Sequence, residues 1–369
     1  MTQRALLVGI NTDSDIEKSK DSLEELKMLS ETAGAKNVFS VLKNIKKIDP
    51  AYYLSKGMLE DIKDKTVSEN ADIVIIDTSL SPAQERNLSE YFDLNVIDRT
   101  RLILDIFAVN ARTAESRYQV ELAMMNYILP RLKGAGIMLS KTGAGIGTRG
   151  PGETKLETDR RKIRLKIMHI KERLKLTEKT RTLHRSKRSR QGFLTAAIVG
   201  YTNSGKTTLM KSLTGKGEKG ENKLFATLGT KTASIYDDSR KKKVLISDTV
   251  GFIQNLPLFL VDSFKATLEE TVQADLLIHV IDPLQNSVID KSGEVIKILD
   301  DIGVKDKTIL TVINKTDLIG EEYAEFLQSK FETITGCPVI AVSAKTGKNI
   351  DLLKEKIFDL LNMEQYNGK

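Results

Sequence analysis

Gly200-Tyr201-Thr202-Asn203-Ser204-Gly205-Lys206-Thr207 joins an apolar, strand-like run, Thr195–Val199, to a helical one, Thr207–Leu213. Glycine near both ends lets backbone N–H groups approach phosphate oxygens with no side chain in between. Lys206 is placed to reach the β- and γ-phosphates, and the Thr207 hydroxyl to hold Mg²⁺. The strand–loop–helix order sets those phosphates at a helix N-terminus, where the backbone dipole favours anions. Gly200 through Thr208 is therefore the expected phosphate cradle of an α/β domain.

Three further motifs lie downstream. Asn314-Lys315-Thr316-Asp317 follows the apolar strand Thr308–Ile313, so it lies where open α/β sheets bind ligands. A carboxylate at Asp317 accepts both N1–H and the 2-amino group of guanine, a donor pair that adenine lacks. Asp248-Thr249-Val250-Gly251 closes the strand Val244–Ser247, 42 residues beyond Lys206. Asp248 is expected on the Mg²⁺ side and the Gly251 N–H at the γ-phosphate. Ser343-Ala344-Lys345 follows the strand Val339–Val342, with the Ala344 N–H expected to mark guanine O6. In this order the motifs predict a GTP-binding, GTP-hydrolysing domain.

Details around them shape the chemistry. Phe252 stands directly after Gly251, where many GTPases carry a glutamine that orients the attacking water, so slow hydrolysis without a partner is expected. In Leu224-Phe225-Ala226-Thr227, Thr227 is the candidate switch threonine for Mg²⁺ and the γ-phosphate, with Thr230 and Thr232 as nearby alternatives. Phe225 and Ala226 join it as nucleotide contacts. Lys206, Thr227 and Gly251 are the residues expected to act on the reacting phosphate. Asn203 either holds a K⁺ ion beside the phosphates or simply fills the loop.

At 369 residues the chain has room for two or three domains with proper cores. Its one cysteine, Cys337, excludes an internal disulfide and suits a reducing cytoplasm. Met1–Ile10 is too poor in apolar residues for a signal peptide and reads as a strand. No apolar stretch approaches the about 20 residues of a membrane span. A soluble, cytoplasmic monomer is expected.

Residues 1–98 alternate strand-like runs (Ala5–Ile10, Val38–Val41, Ile73–Asp77, Leu94–Ile97) with helical patterns such as Asp15–Thr32. That alternation predicts a small parallel α/β domain. Asp77, at a strand end, is read as a capping residue rather than a catalytic one.

Residues 99–190 read as an arm of two long antiparallel helices. Thr113–Leu132 has Val120, Ala123, Met124, Tyr127 and Ile128 on one side. From Lys133 to Gly152 there are seven glycines and no acidic residue, a flexible tip. A helix from about Glu153 then spaces Leu156, Ile163, Ile167, Ile170 and Leu174 as a coiled-coil-like seam. From Lys155 to Arg190 there are 15 Lys or Arg against 4 Asp or Glu, net +11, whereas the whole chain carries +7. A merely solvated helix face would balance its signs. A stripe this basic suits phosphates. It lacks the Trp and Phe wedge of interfacial helices, so nucleic acid is favoured over a membrane surface. Gly145-Ile146-Gly147-Thr148-Arg149-Gly150 matches a dinucleotide fingerprint literally, but Pro151-Gly152 and a basic helix follow, so that reading fails. An acid-free glycine tip suits a cavity in folded RNA. Lys141, Arg149, Lys155, Arg160, Arg161 and Arg164 are the candidate RNA contacts.

Arg149-Gly150-Pro151-Gly152-Glu153-Thr154-Lys155-Leu156-Glu157, Gln119-Val120-Glu121-Leu122-Ala123 and Asp248-Thr249-Val250-Gly251-Phe252-Ile253 together resemble the HflX family of translational GTPases. The likeness covers roughly residues 4–362. It implies an N-terminal α/β domain (1–98), a helical arm (99–190, tip about 133–152) and a Ras-like GTPase domain (191–369). It further implies binding to the large ribosomal subunit, with the tip near the peptidyl-transferase centre, hydrolysis stimulated by the ribosome, and splitting of stalled or idle ribosomes under stress. ATP binding at the N-terminal domain is a further family association. Alternatives are a large-subunit assembly checkpoint and a GTP-gated protein scaffold without RNA. The chain departs from the family at Gly229-Thr230, where Asp-Pro is usual, and at Val109-Asn110, where Gln-Arg is common. After Lys345 one helix, about Ile350–Leu361, is expected, without the extra C-terminal domain of some members.

Overall fold

The computed structural model describes residues 3–12, 15–132, 151–190, 193–215, 224–225, 229, 231–254, 260, 270–304 and 307–367. They form two compact units, Met1–Leu176 and Thr177–Lys369.

In the first unit, strands β1 (Arg4–Asn11), β2 (Asn37–Asn44), β3 (Ile73–Ile76) and β4 (Asn95–Asp98) make a parallel sheet in the order β2-β1-β3-β4. Helices cover a parallel sheet on both faces, which is why all four residues of β3 are apolar and buried. The connecting helices are α1 (Ile16–Thr32), α2 (Lys56–Ser68) and α3 (Pro82–Phe92). Asp15 caps α1 by accepting Lys18 N–H, and Ser81 with Gln84 forms a capping box ahead of Pro82. Asp77 caps no helix among the described residues. Its carboxylate accepts from Arg99 Nη1 at 2.6 Å and from Ser22 Oγ at 2.6 Å, and Arg99 Nη2 reaches Glu25 at 2.7 Å.

Helix α4 (Arg99–Asn110) begins directly after β4, and α5 (Ala114–Arg131) follows, capped by Thr113 and Ser116. Asp98 ties α5 to the sheet. Its carboxylate accepts Leu80 N–H at 3.1 Å, Arg101 N–H at 2.7 Å, Tyr127 O–H at 3.0 Å and Arg131 Nη2 at 3.2 Å. Burial raises the Asp98 carboxyl above the usual carboxylate range, against the pull of those N–H donors and Arg131. Burial, with the carboxylates of Asp98 and Glu85 beside it, pushes the Tyr127 phenol up.

Helix α6 runs from Pro151 to Arg190 as one 40-residue element. Ile170 is buried and Ile163, Ile167 and Leu174 are half-buried while most of their neighbours are exposed, in keeping with four of the five expected seam positions; the side chains of Leu156 and Lys155 lie outside those described. Lys166 pairs with Glu121 of α5. The expected tip, with Lys141 and Arg149, lies outside the described residues.

In the second unit, β5 (Leu194–Gly200), β6 (Lys231–Asp237), β7 (Lys242–Asp248), β8 (Leu276–Ile281), β9 (Thr308–Ile313) and β10 (Val339–Ala341) form a six-stranded sheet. Its order is β10-β9-β8-β5-β7-β6, parallel except for β6. Helices α7 (Lys206–Thr214), α8 (Val288–Asp301), α9 (Glu321–Thr335) and α10 (Ile350–Asn367) connect and cover it. One face packs Ile198, Ile246, Ile278, Val312 and Val342 against α7 and α10. The other packs Ala197, Val199 and Leu277 with Val295 and Leu299 of α8. Among the described residues no helix is long and apolar enough to cross a membrane.

Candidate nucleotide site

All four motifs lie at the C-terminal ends of parallel strands: the phosphate loop after β5, Asp248–Gly251 after β7, Asn314–Asp317 after β9 and Ser343–Lys345 after β10. The loop needs its glycines. Gly200 has φ +147°, and a Cβ there would lie 2.3 Å from the Val280 carbonyl oxygen. Gly205 has φ +92°, and its Cβ would lie 2.2 Å from Asn314 Nδ2. Asn203, between them, is also left-handed, at φ +61°.

Lys206 opens α7 and is buried. Its ammonium donates to the carbonyls of Gly200 at 3.1 Å and Tyr201 at 2.6 Å, which arches the loop over it. Burial pushes its pKa down to about 8, and the nearby Asp248 charge opposes that shift. Thr207 Oγ1 donates to Asp248 Oδ2 at 2.9 Å, and Asp248 is fully buried. A hydroxyl and a carboxylate side by side are hard oxygen donors of the kind Mg²⁺ takes. Thr249 Oγ1 donates to the Ile198 carbonyl at 2.7 Å, anchoring the segment that carries Val250 and Gly251. Thr208 is half-buried in the first turn of α7.

Gly251 packs on the loop itself: a Cβ there would lie 2.7 Å from Thr202 Cγ2 and 2.9 Å from Lys206 Nζ. The next residue is zipped to the loop. Thr202 N–H donates to the Phe252 carbonyl at 2.7 Å and Phe252 N–H to the Gly200 carbonyl at 3.1 Å. The Phe252 ring is buried with Ala197, Val199, Tyr201 and Leu277. It points into the core, where it orients no water.

One amide joins three motifs. Asn314, 2% exposed, donates from Nδ2 to the Ser204 carbonyl at 2.9 Å and accepts Ala344 N–H on Oδ1 at 3.0 Å. Asp317 Oδ1 accepts the Ser343 hydroxyl at 2.6 Å, and Ser343 Oγ accepts Thr346 N–H at 3.2 Å. Lys345 is exposed. Lys315 Nζ donates to Asp282 Oδ2 at 2.7 Å. Phe225 is buried with φ +56°, whereas Ala226 and Thr227 lie outside the described residues. On α6, Arg161 and Arg164 are exposed and Arg160 is half-buried.

Some neighbours carry no motif. Asp282 and Gln285 follow β8, and Gln285 Nε2 donates to the Thr202 carbonyl at 3.3 Å. The position of Asp282 at a strand end was the one sequence signal available for it. His279, on β8, is 2% exposed, and burial with the Lys206 charge lowers its pKa to about 4.

Known proteins share this chain's pattern end to end. Residues 20–108 match a family described as GTP-binding GTPase N-terminal, 110–188 one described as GTP-binding GTPase middle region, and 195–315 one described as 50S ribosome-binding GTPase. The GTPase HflX of Caldanaerobacter subterraneus subsp. tengcongensis is 46% identical over 317 residues, 86% of this chain and 73% of that protein. The GTPase HflX of Escherichia coli K12 is 38% identical over 362 residues, 98% of this chain and 84% of that protein. Among solved structures, a GTP-binding protein from Sulfolobus solfataricus in complex with GDP is 28% identical, with a TM-score of 0.51 over 98% of this chain and 99% of that one. Identity at this level across nearly the whole length, on a sheet that gathers the four phosphate and base motifs, makes this chain a member of the HflX family of GTPases.

Proposed function

We propose that this GTPase binds the large ribosomal subunit in its GTP form, splits stalled or idle 70S ribosomes, and leaves after hydrolysis. The supporting observation is the one-sided charge of α6, net +11 from Lys155 to Arg190, in the same chain as a GTP site. The likeness of residues 195–315 to a family described as 50S ribosome-binding GTPase supports the same reading.

In this reading the chain works as three modules, 1–98, 99–190 and 191–369. The cradle from Gly200 to Thr208 holds the phosphates and Lys206 neutralises them. Asp317 and Ala344 read guanine, while Thr227 and Gly251 close on the γ-phosphate. Thr207, Asp248 and Thr227 would hold Mg²⁺, which would supply positive charge to offset that of the phosphates. Phe252 offers no group to the attacking water, so turnover is slow until the ribosome reorders the segment. Asn203 is the residue to test for K⁺ dependence, by comparing turnover in KCl and NaCl. ATP at the N-terminal domain is tested by direct binding to the full chain. Lys141, Arg149, Lys155, Arg160, Arg161 and Arg164 contact ribosomal RNA, with a salt-sensitive affinity.

The deciding experiment is sucrose-gradient sedimentation of 70S ribosomes with the protein and GTP, a non-hydrolysable analogue, or GDP. Conversion to subunits with the triphosphates and not with GDP is expected. Intact 70S with binding to precursor particles alone would make the protein an assembly factor. Binding that survives RNase and high salt would make it a protein scaffold.

A further inference from the structure

The loop from Asp282 to Ser287, between β8 and α8, touches two motifs and belongs to neither. Asp282 is 5% exposed and uses its carboxylate oxygens separately. Oδ1 accepts Leu284 N–H at 3.1 Å, which turns the loop, and Oδ2 accepts Lys315 Nζ at 2.7 Å. Gln285 N–H closes the turn on the Asp282 carbonyl at 3.2 Å. That turn aims the Gln285 side chain at the phosphate loop, where Nε2 donates to the Thr202 carbonyl at 3.3 Å. At the start of α8 the Lys291 ammonium lies 5.4 Å from the centroid of the Tyr201 ring, a second tie between this segment and the phosphate loop.

We propose that Asp282 and Gln285 are positioning residues for guanine nucleotide, a brace that sets the base-side lysine and the phosphate loop in one frame. The proposal rests on reading Asn314–Asp317 as the base site. A lysine stem is long and rich in rotamers. Lys315 is partly exposed and would sample many rotamers in water. A charge-assisted bond to a buried carboxylate selects one of them before ligand arrives. Gln285 does the same for the Thr202 peptide. Thr202's own N–H, in the preceding peptide, is bonded to the Phe252 carbonyl, so Thr202 is held on both sides and the loop there has little freedom to rotate.

The test measures GDP and GTP affinity, release rate and steady-state turnover for the full-length protein. Asp282→Asn keeps the size and the Leu284 contact but removes the charge. It is expected to raise the GDP Kd about 10-fold through faster release, the scale of a lost charge-assisted bond. The loss should fall on KM rather than kcat. In a Lys315→Met background the same substitution should change the Kd less than twofold, because its partner is gone. Gln285→Leu keeps the bulk without the donor and should raise the Kd about threefold. A Kd within twofold of the parent for Asp282→Asn, or an undiminished loss in the Lys315→Met background, overturns the proposal. Asp317→Asn with xanthosine diphosphate tests the base-site reading separately. A switch of preference from GDP to that ligand upholds it, and retained preference for GDP removes it together with the brace.

Discussion

Replacing Gly205 by alanine tests whether the phosphate loop and the base motif are one mechanical unit. The new Cβ would sit 2.2 Å from Asn314 Nδ2, and the backbone there has φ +92°. A side chain in the left-handed region costs about 1–2 kcal/mol. The overlap cannot be relieved without moving the Asn314 amide, which holds the Ser204 carbonyl at 2.9 Å and the Ala344 N–H at 3.0 Å. Losing those two buried bonds adds about 1 kcal/mol or more each, for a total near 4 kcal/mol. The cost divides between two observables. If the loop keeps its shape, the GTPase unit unfolds more easily; if it distorts, GDP affinity falls, by up to about a thousandfold. Chemical denaturation with and without GDP, together with GDP titration, measures both. Gly215→Ala is the control, since Gly215 has φ +65° but nothing within 4 Å of its Cβ, so it pays only the backbone term. A Gly205→Ala protein whose combined loss matches that of Gly215→Ala would refute the reasoning.

Three other substitutions follow from the same geometry. Arg99→Met strands the carboxylates of Asp77 and Glu25, so chemical denaturation of the first unit should show a loss of about 3–5 kcal/mol, with Arg99→Lys losing less. His279 is held near pKa 4, below the ordinary 6.5, so the unfolded chain takes up the proton first. Its contribution is therefore complete above pH 6.5 and lost as pH falls towards 4, by about 3 kcal/mol. Denaturation at pH 7 and pH 4.5 should show a smaller difference for His279→Phe than for the parent. Thr207→Val removes the hydroxyl beside Asp248 and should raise the Mg²⁺ concentration for half-maximal GTP turnover at least 10-fold, read in a Mg²⁺ titration. An unchanged requirement would take Thr207 out of the metal site.

The placement of the four motifs at strand ends was legible because each carries two signals at once. Each pairs a residue type that chemistry demands with a position at a strand end, as β5 with Gly200–Thr207 and β9 with Asn314–Asp317. The strands of the first sheet were legible because parallel strands are apolar on both faces, as in Ile73–Ile76. Tertiary contacts were not. Asp77 reads as a cap because its partner Arg99 lies 22 residues on, in another element with no periodic relation to it. Gln285 and Thr202 are 83 residues apart and meet only because β5 and β8 are neighbours. β6 is partly exposed and mostly polar, and β8, although five of its six residues are apolar, has no chemical motif beside it. The fate of the Phe252 ring needed the fold, because the sequence says what that side chain cannot do and not where it goes.

The Asp98 carboxylate, with its four donors, has a mechanical consequence. A joint between a strand end and a helix ordinarily rocks with thermal motion. This one cannot rock without stripping donors from a charge that water does not reach, and the penalty rises at the first small displacement. Torque applied to α5 is therefore passed into the strand instead of being absorbed at the joint. Motion there should occur only by rare local opening, so the Leu80 and Arg101 amide hydrogens should exchange as slowly as those of the sheet core.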